Sequence, residues 1–468
     1  MFQVIILVFV LGYIAIALEH PFRIDKAAPA LFIGSALWAI YILNAETILG
    51  LGHSVSWAQF SQNFTDALTT EHIHEFFSEE LIKYLGETSE ILFFLLGAMT
   101  IVEIVDRHRG FKVITDRIIT TNKVKLLWVL CFLTFFMSAI LDNLTTTIVM
   151  VALLKKLVAD KQTRWFFASM IVIAANAGGT WSPIGDITTI MLWIGGQVTT
   201  ANIITRVFLP SVICLCAPLL ILSFTMKGEI ERPVCNDCEE DEVSNWTTPR
   251  TQKLMLIIGI CGLLFVPIFK TITHLPPYLG MLLSLSIIWA VTEFIHKNHA
   301  PAIKNKLRPT AILSKIDSPT ILFFLGILMA VSALQSAGHL SLMSNALDSC
   351  FKDVTGGIFI IDLIIGLLSS IVDNVPLVAG AIGMYPIEAT GAIGYAANFV
   401  QDGPFWEFLA YTAGTGGSML IIGSAAGIAA MGLEKIDFVW YVKKISWLAI
   451  IGYAAGAATY IIQLAIIG

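Results

Sequence analysis

Two short stretches of this chain put carboxylates and amides where apolar residues are expected. Met137–Leu154 reads MSAILDNLTTTIVMVALL, and Leu368–Tyr385 reads LSSIVDNVPLVAGAIGMY. Each follows a serine shortly with Asp-Asn inside hydrophobic sequence. A carboxylate at the centre of a membrane helix costs about 3 kcal/mol on insertion scales. Two in matching contexts point to a site. A second pair of echoes is Ala175-Asn-Ala-Gly-Gly-Thr-Trp-Ser-Pro-Ile-Gly, followed by Asp186, and Ala413-Gly-Thr-Gly-Gly-Ser-Met-Leu-Ile-Ile-Gly, followed by Ser424.

The polar groups in these four stretches are Ser138, Asp142, Asn143, Thr145 and Thr146; Asn176, Ser182, Asp186, Thr188 and Thr189; Ser369, Ser370, Asp373 and Asn374; and Thr412, Thr415, Ser418 and Ser424. All offer hard oxygen donors. None is His, Cys, Lys or Arg, so transition metals, which prefer imidazole and thiolate, are disfavoured. Three carboxylates suit a hard cation, with Na⁺ the natural candidate at Asp142, Asn143, Asp186, Asp373 and Asn374. A carboxylate inside the membrane that holds a proton or a sodium ion, but not both well, is enough to couple two opposed fluxes. Asp142 is the specific expectation for that competition, with Asp186 beside it and Asp373 opposite. The first half has an acid at Asp186 where the second has Ser424, so the expected site is asymmetric.

Bland readings compete at other positions. An intramembrane Ser or Thr usually bonds to its own helix backbone. Asp362 reads as nearer the surface, Glu90 and Glu103 as interfacial, and Glu71-His72-Ile73-His74-Glu75 as the wet face of a helix. Cys235 and Cys238 form a CNDC pair with no second pair or histidine near, a weak metal signal. The other five cysteines read as small core residues. No P-loop occurs, and His74-Glu75-Phe-Phe-Ser78 has Ser where a zinc-protease motif needs its second His. The chain reads as no enzyme and as carrying no cofactor.

The elements that must position these groups follow from composition. Of 468 residues 56% are hydrophobic and 13% charged, against about 25% charged in soluble chains. An all-α polytopic membrane protein is expected, with no nucleic-acid partner, and the net charge of −6 says little because topology depends on where Lys and Arg fall. Spans are expected near Phe2–Leu18, Ala27–Leu43 and Glu90–Val105. The first is read as an uncleaved span. Between Asn44 and Thr88 lie seven acids and one base, Lys83, with apolar residues at helical spacing. That stretch predicts a helix on the membrane surface, in an external segment within 1–89.

Basic loops then set direction. Arg107–Lys125 and Lys155–Arg164 flank residues 126–158, and both belong on the cytoplasmic side by the positive-inside rule. About 30 residues that enter and leave on one side form a re-entrant hairpin with its tip near Asp142. Residues 166–193 form a span broken by glycines and Pro183, so 90–226 is a first repeat core. Residues 227–253 read as a cytoplasmic linker and 254–318 as scaffold helices. Residues 319–468 repeat the plan, with a hairpin at 356–386, a broken span at 405–431 and a last span. About ten spans, two hairpins and two broken helices, with both termini outside, make an inverted-topology repeat whose site lies at the midplane.

The phrases SAILDNLTTT, ANAGGTWSPIGDITTIMLWIGG and SSIVDNVPLVA resemble the NhaD-type sodium/proton antiporters of the ion transporter superfamily, over nearly the whole chain. The resemblance implies a bacterial cytoplasmic-membrane protein exporting Na⁺ or Li⁺ in exchange for H⁺. It matches the family's polar intramembrane residues at Ser138, Asp142, Asn143, Asn176, Asp186, Thr188, Thr189, Ser369, Asp373 and Asn374. It further implies a homodimer working by an elevator motion, with the hairpins and broken spans as the moving part, in contact with membrane lipid. The alternatives on one architecture are a sodium-coupled carboxylate symporter, whose hairpin tips carry Ser-Asn-Thr, and an arsenite exporter.

Overall fold

The computed structural model describes residues 1–17, 24–64, 69–115, 118, 120–231, 247–297, 307–314 and 316–467. Cys235 and Cys238 lie outside the described residues. The main helices are α1 (Phe2–Ala17), α2 (Ala27–Leu43), α3 (Thr70–Arg107), α4 (Lys123–Leu141), α5 (Asn143–Leu157), α6 (Lys161–Gly179), α7 (Ile187–Ile194), α8 (Thr200–Thr225) and α9 (Pro249–Thr273). They continue as α10 (Pro277–Ile295), α11 (Ser318–Ser336), α12 (His339–Phe351), α13 (Gly357–Leu368), α14 (Asn374–Met384), α15 (Pro404–Gly416), α16 (Ala425–Glu434) and α17 (Ser446–Ile467). Among the described residues, seven helices are long and apolar enough to cross a membrane, and five shorter ones are apolar.

The chain folds as two compact units. One comprises Met1–Phe93, Asp317–Ile361 and Val375–Val400, the other Phe94–Ile316, Asp362–Asn374 and Gln401–Gly468. In the first, α2 and α11 pack closely because Gly34 and Gly326 meet. A Cβ on either would strike the backbone of the other helix, the small-residue contact that lets membrane helices approach. Trp38 Nε1 donates to Met329 O (2.9 Å) and Tyr41 Oη to Ser336 O (3.0 Å) along the same seam. Phe76 and Phe77 then close an aromatic core with Trp57 and Tyr41.

The expected surface helix is not separate from the third span. α3 runs unbroken for 38 residues, about 57 Å at 1.5 Å per residue, well beyond a hydrocarbon layer of about 30 Å. Between the two expected pieces no proline intervenes, and Gly86 costs only about 1 kcal/mol in a helix. Helix α12 was not expected at all. Two cysteines read as core, Cys261 and Cys350, are exposed.

In the second unit α8 packs along α17. Pro210 and Pro218 lie inside α8, and each proline lacks the N–H that would bond the carbonyl four residues earlier. For Pro210 that carbonyl is Arg206 O, and Gln463 Nε2 of α17 donates to it (3.3 Å). Helix breaks in this unit fall inside the stretches read as a hairpin and broken spans. α4 stops and α5 starts at Asp142. α6 and α7 are separated by Thr180–Asp186, and α15 and α16 by Gly417–Ser424.

Candidate functional site

Asp142 sits between α4 and α5 with φ +86° and ψ 159°, a backbone region that costs a non-glycine residue of order 1–3 kcal/mol. The carboxylate offsets part of this by capping α5. Oδ1 accepts from Thr145 N (2.7 Å) and Oδ2 from Thr145 Oγ1 (2.8 Å). Thr145 is thereby committed to Asp142. The neighbouring Thr146 is fully buried, and its hydroxyl has no hydrogen-bond partner among the described residues.

Asn143 turns inward from the same tip. Its Nδ2 donates to Asn176 Oδ1 (3.2 Å) in α6. Asn176 Nδ2 lies within hydrogen-bond distance of Ser418 Oγ (2.9 Å) and Ser424 Oγ (3.0 Å). One fully buried amide therefore links the first hairpin, the first broken helix and the second broken helix.

Asp186 caps the other side. It precedes α7, its backbone N–H donates to Thr189 Oγ1 (3.2 Å), and its side chain is buried. Asn374, at the tip of the second hairpin, donates from Nδ2 to Asp186 Oδ2 (3.1 Å). Asp373 beside it is within electrostatic reach of Asp186. Thr188 and Thr189 are fully buried.

The serines act as ties. Ser138 Oγ donates to Ala175 O (2.6 Å), and Ser369 Oγ donates to Ala413 O (2.7 Å). Gly185 packs on Ser138 O, and Gly423 on the carbonyls of Ser369 and Ser370. Each hairpin is fastened to its following broken helix by matching contacts. Ser182 Oγ likewise donates to Ala139 O (2.6 Å), while Ser370 and Thr415 bond back to Leu367 O and Tyr411 O within their own segments. Thr412 bonds back to Leu409 O in the same way.

The matching fails at one position. Asn176 lies one residue past Ala175, and its counterpart past Ala413 is Gly414. A Cβ at Gly414 would lie 3.3 Å from Asp186 Oδ2. One half fills this place with an amide. In the other, glycine lets α15 close on the Thr180 methyl, beside the Asp186 carboxylate that accepts from Asn374 Nδ2.

Two buried acids escaped the sequence reading. Asp362 is fully buried rather than near the surface. Glu407 of α15 is 2% exposed. Its signal was a lone acid within PFWEFLAY, masked by the nearness of that run to a helix start. Glu103 forms an ion pair with Arg107 (2.9 Å) on a half-exposed face, as an interfacial acid does. Among the described residues no group of three His, Cys, Asp or Glu side chains could hold a metal ion.

A family model described as citrate transporter (CitMHS) matches residues 13–402. Sodium/proton antiporter 1 of Arabidopsis thaliana is 43% identical over 461 residues, covering 97% of this chain and 71% of its own length. Sodium/proton antiporter 2 of the same plant is 41% identical over 455 residues, covering 97% and 98%. The Na(+)/H(+) antiporter NhaD of Alkalimonas amylolytica is 28% identical over 484 residues, covering 98% and 90%. With the apolar helices and the helix breaks, these matches define a multi-pass membrane transporter and not an enzyme. The chain belongs to the NhaD-type sodium/proton antiporter family.

Proposed function

We propose that this protein exports Na⁺, or Li⁺, in exchange for H⁺, with the two cations competing for intramembrane carboxylates. The observation that carries this reading is the Asp186–Asn374 bond with Gly414 beside it. A buried acid and a side-chain amide from two distant segments meet there. Asp142, Asn143 and Asp373 complete the cation set; Ser138, Asn176, Ser182, Thr189, Ser369 and Ser418 tie the hairpins and breaks around it, and Thr188 and Thr415 are further oxygen donors in the same segments. The paired ties at Ser138 and Ser369 support an inverted repeat, in which the hairpins and broken helices move together as the elevator part. By the positive-inside rule, the basic loops support a cytoplasmic opening for the first hairpin.

Everted vesicles energised to an acid interior test the reading. Addition of Na⁺ or Li⁺ dequenches acridine orange if exchange occurs. The citrate transporter family name supplies the competing outcome: no dequenching, and Na⁺-dependent uptake of labelled citrate. None of the clustered side chains named above is cationic, which disfavours a tricarboxylate beside Asp186.

A further inference from the structure

Asp362 lies on α13 with no exposed surface, and neither of its carboxylate oxygens has a hydrogen-bond partner among the described residues. Gly366 and Ser369 follow it at four and seven residues, on the same helical face. That face packs on α15 and α17. Ser369 Oγ reaches Ala413 O of α15 (2.7 Å), Tyr453 Oη of α17 donates to Leu363 O (3.3 Å), and a Cβ on Gly366 would run into Tyr453 Oη and Thr412.

The groups around Asp362 form a polar series. Tyr453 and Tyr460 of α17 are within its electrostatic reach. Tyr411 of α15 donates to Tyr453 O (2.8 Å). Tyr460 Oη donates to Glu407 Oε2 (2.6 Å). Glu407 Oε1 lies 4.0 Å from Nε of Arg206 on α8, whose side chain is 30% exposed. Asp402, also within reach of Glu407, accepts from Thr199 N and Thr199 Oγ1 at the start of α8. The series thus leads from partly exposed groups to Tyr460, which lies within electrostatic reach of the buried acid.

Burial without a partner disfavours an unpaired carboxylate charge in such a place, whereas a proton on one oxygen removes the charge. We propose that Asp362 is a proton-binding site separate from Asp142, Asp186 and Asp373, reached through Glu407 and Tyr460. Loading takes a proton from hydronium at the exposed end to Glu407, from Glu407 to Tyr460 Oη, and from Tyr460 to the Asp362 carboxylate, one O–H bond breaking for each that forms and water left behind. The assignment does not depend on which cation is exchanged.

Infrared spectroscopy of the purified full chain in lipid tests it. A carboxylic-acid carbonyl band that shifts in heavy water is expected in the wild type, in Asp142→Asn and in Asp186→Asn, and is lost in Asp362→Asn. Absence of the band in the wild type, or its persistence in Asp362→Asn, overturns the assignment. Tyr460→Phe, which keeps the ring, serves as the second variant. The band remains and its hydrogen–deuterium exchange slows several-fold; an unchanged exchange rate overturns the route. If the exchange reading fails instead, vesicles show no Na⁺ dequenching while the infrared band is still present.

Discussion

Asn374 Nδ2 and Asp186 Oδ2 meet at 3.1 Å across 188 residues of sequence. A neutral amide supplies the donor, so the carboxylate keeps its charge available to a cation. An arginine in the same place would neutralise it permanently.

Asn374→Ala removes that donor while leaving Asp186 buried. A hydrogen bond to a charged group is worth about 1.5–3 kcal/mol. If it orders the carboxylate for the cation, the apparent KM for Na⁺ rises about tenfold or more, measured from the Na⁺ dependence of dequenching. Asn374→Asp sets a second carboxylate against the first, and its loss of exchange should be the more severe. An unchanged KM in Asn374→Ala would remove Asp186 from the cation site.

Asp142 separates charge from structure in a different way. Its carboxylate caps α5 through Thr145, and Asn caps a helix as well as Asp does. Asp142→Asn should therefore express and melt like the wild type while losing Na⁺-driven proton movement. Asp142→Ala should lose the movement and, in addition, about 1 kcal/mol of stability. Normal exchange in Asp142→Asn would show that Asp142 is a cap and nothing more.

The breaks that build this site were legible because each is a polar, glycine-rich insertion in apolar sequence. Asp142 and Asp186 fall at helix starts, as Asp residues at such breaks commonly do. The partners were not legible. Asn176 bonds to groups from two distant segments, and no local pattern encodes which hydroxyl an amide will reach. The 38-residue α3 was misread because acids and histidines at its start resemble a surface helix, whereas a helix ends only where backbone hydrogen bonding fails. Asp362 was set near the surface by its place early in a hairpin, yet packing by α15 and α17 buries it.

Asp160, in the loop before α6, gives a pH prediction with a definite sign. Thr163 holds its carboxyl below the ordinary carboxylate range, through its hydroxyl and its N–H, the latter bonding at 2.8 Å. The folded state thus binds a proton less readily than the unfolded chain. The cap's contribution is present above the unfolded pKa and is lost as pH falls through the lower, folded one. Asp160→Asn, which caps without titrating, should melt with less dependence on pH in acid. Above the ordinary carboxylate range its melting should show the same pH dependence as the wild type, so this group plays no part in any alkaline response. A difference in pH dependence that grows toward alkaline pH would contradict the assignment.

Pro210 and Gln463 form a compensating pair, which a double-mutant cycle can expose. Pro210 leaves Arg206 O without its helical donor, and Gln463 Nε2 supplies one from α17. Within a membrane helix such a carbonyl has no water to turn to. Gln463→Leu keeps the packing volume roughly constant and leaves the carbonyl unpaired, a loss of about 1–3 kcal/mol. Pro210→Ala restores the N–H that Arg206 O lacks. In the Pro210→Ala background, Gln463→Leu should then cost much less than it does alone, a coupling of about 1 kcal/mol or more between the two changes. Thermal melts of the four detergent-solubilised proteins measure it. Additive losses would mean that Gln463 contributes through packing along α8, with the Arg206 carbonyl served elsewhere.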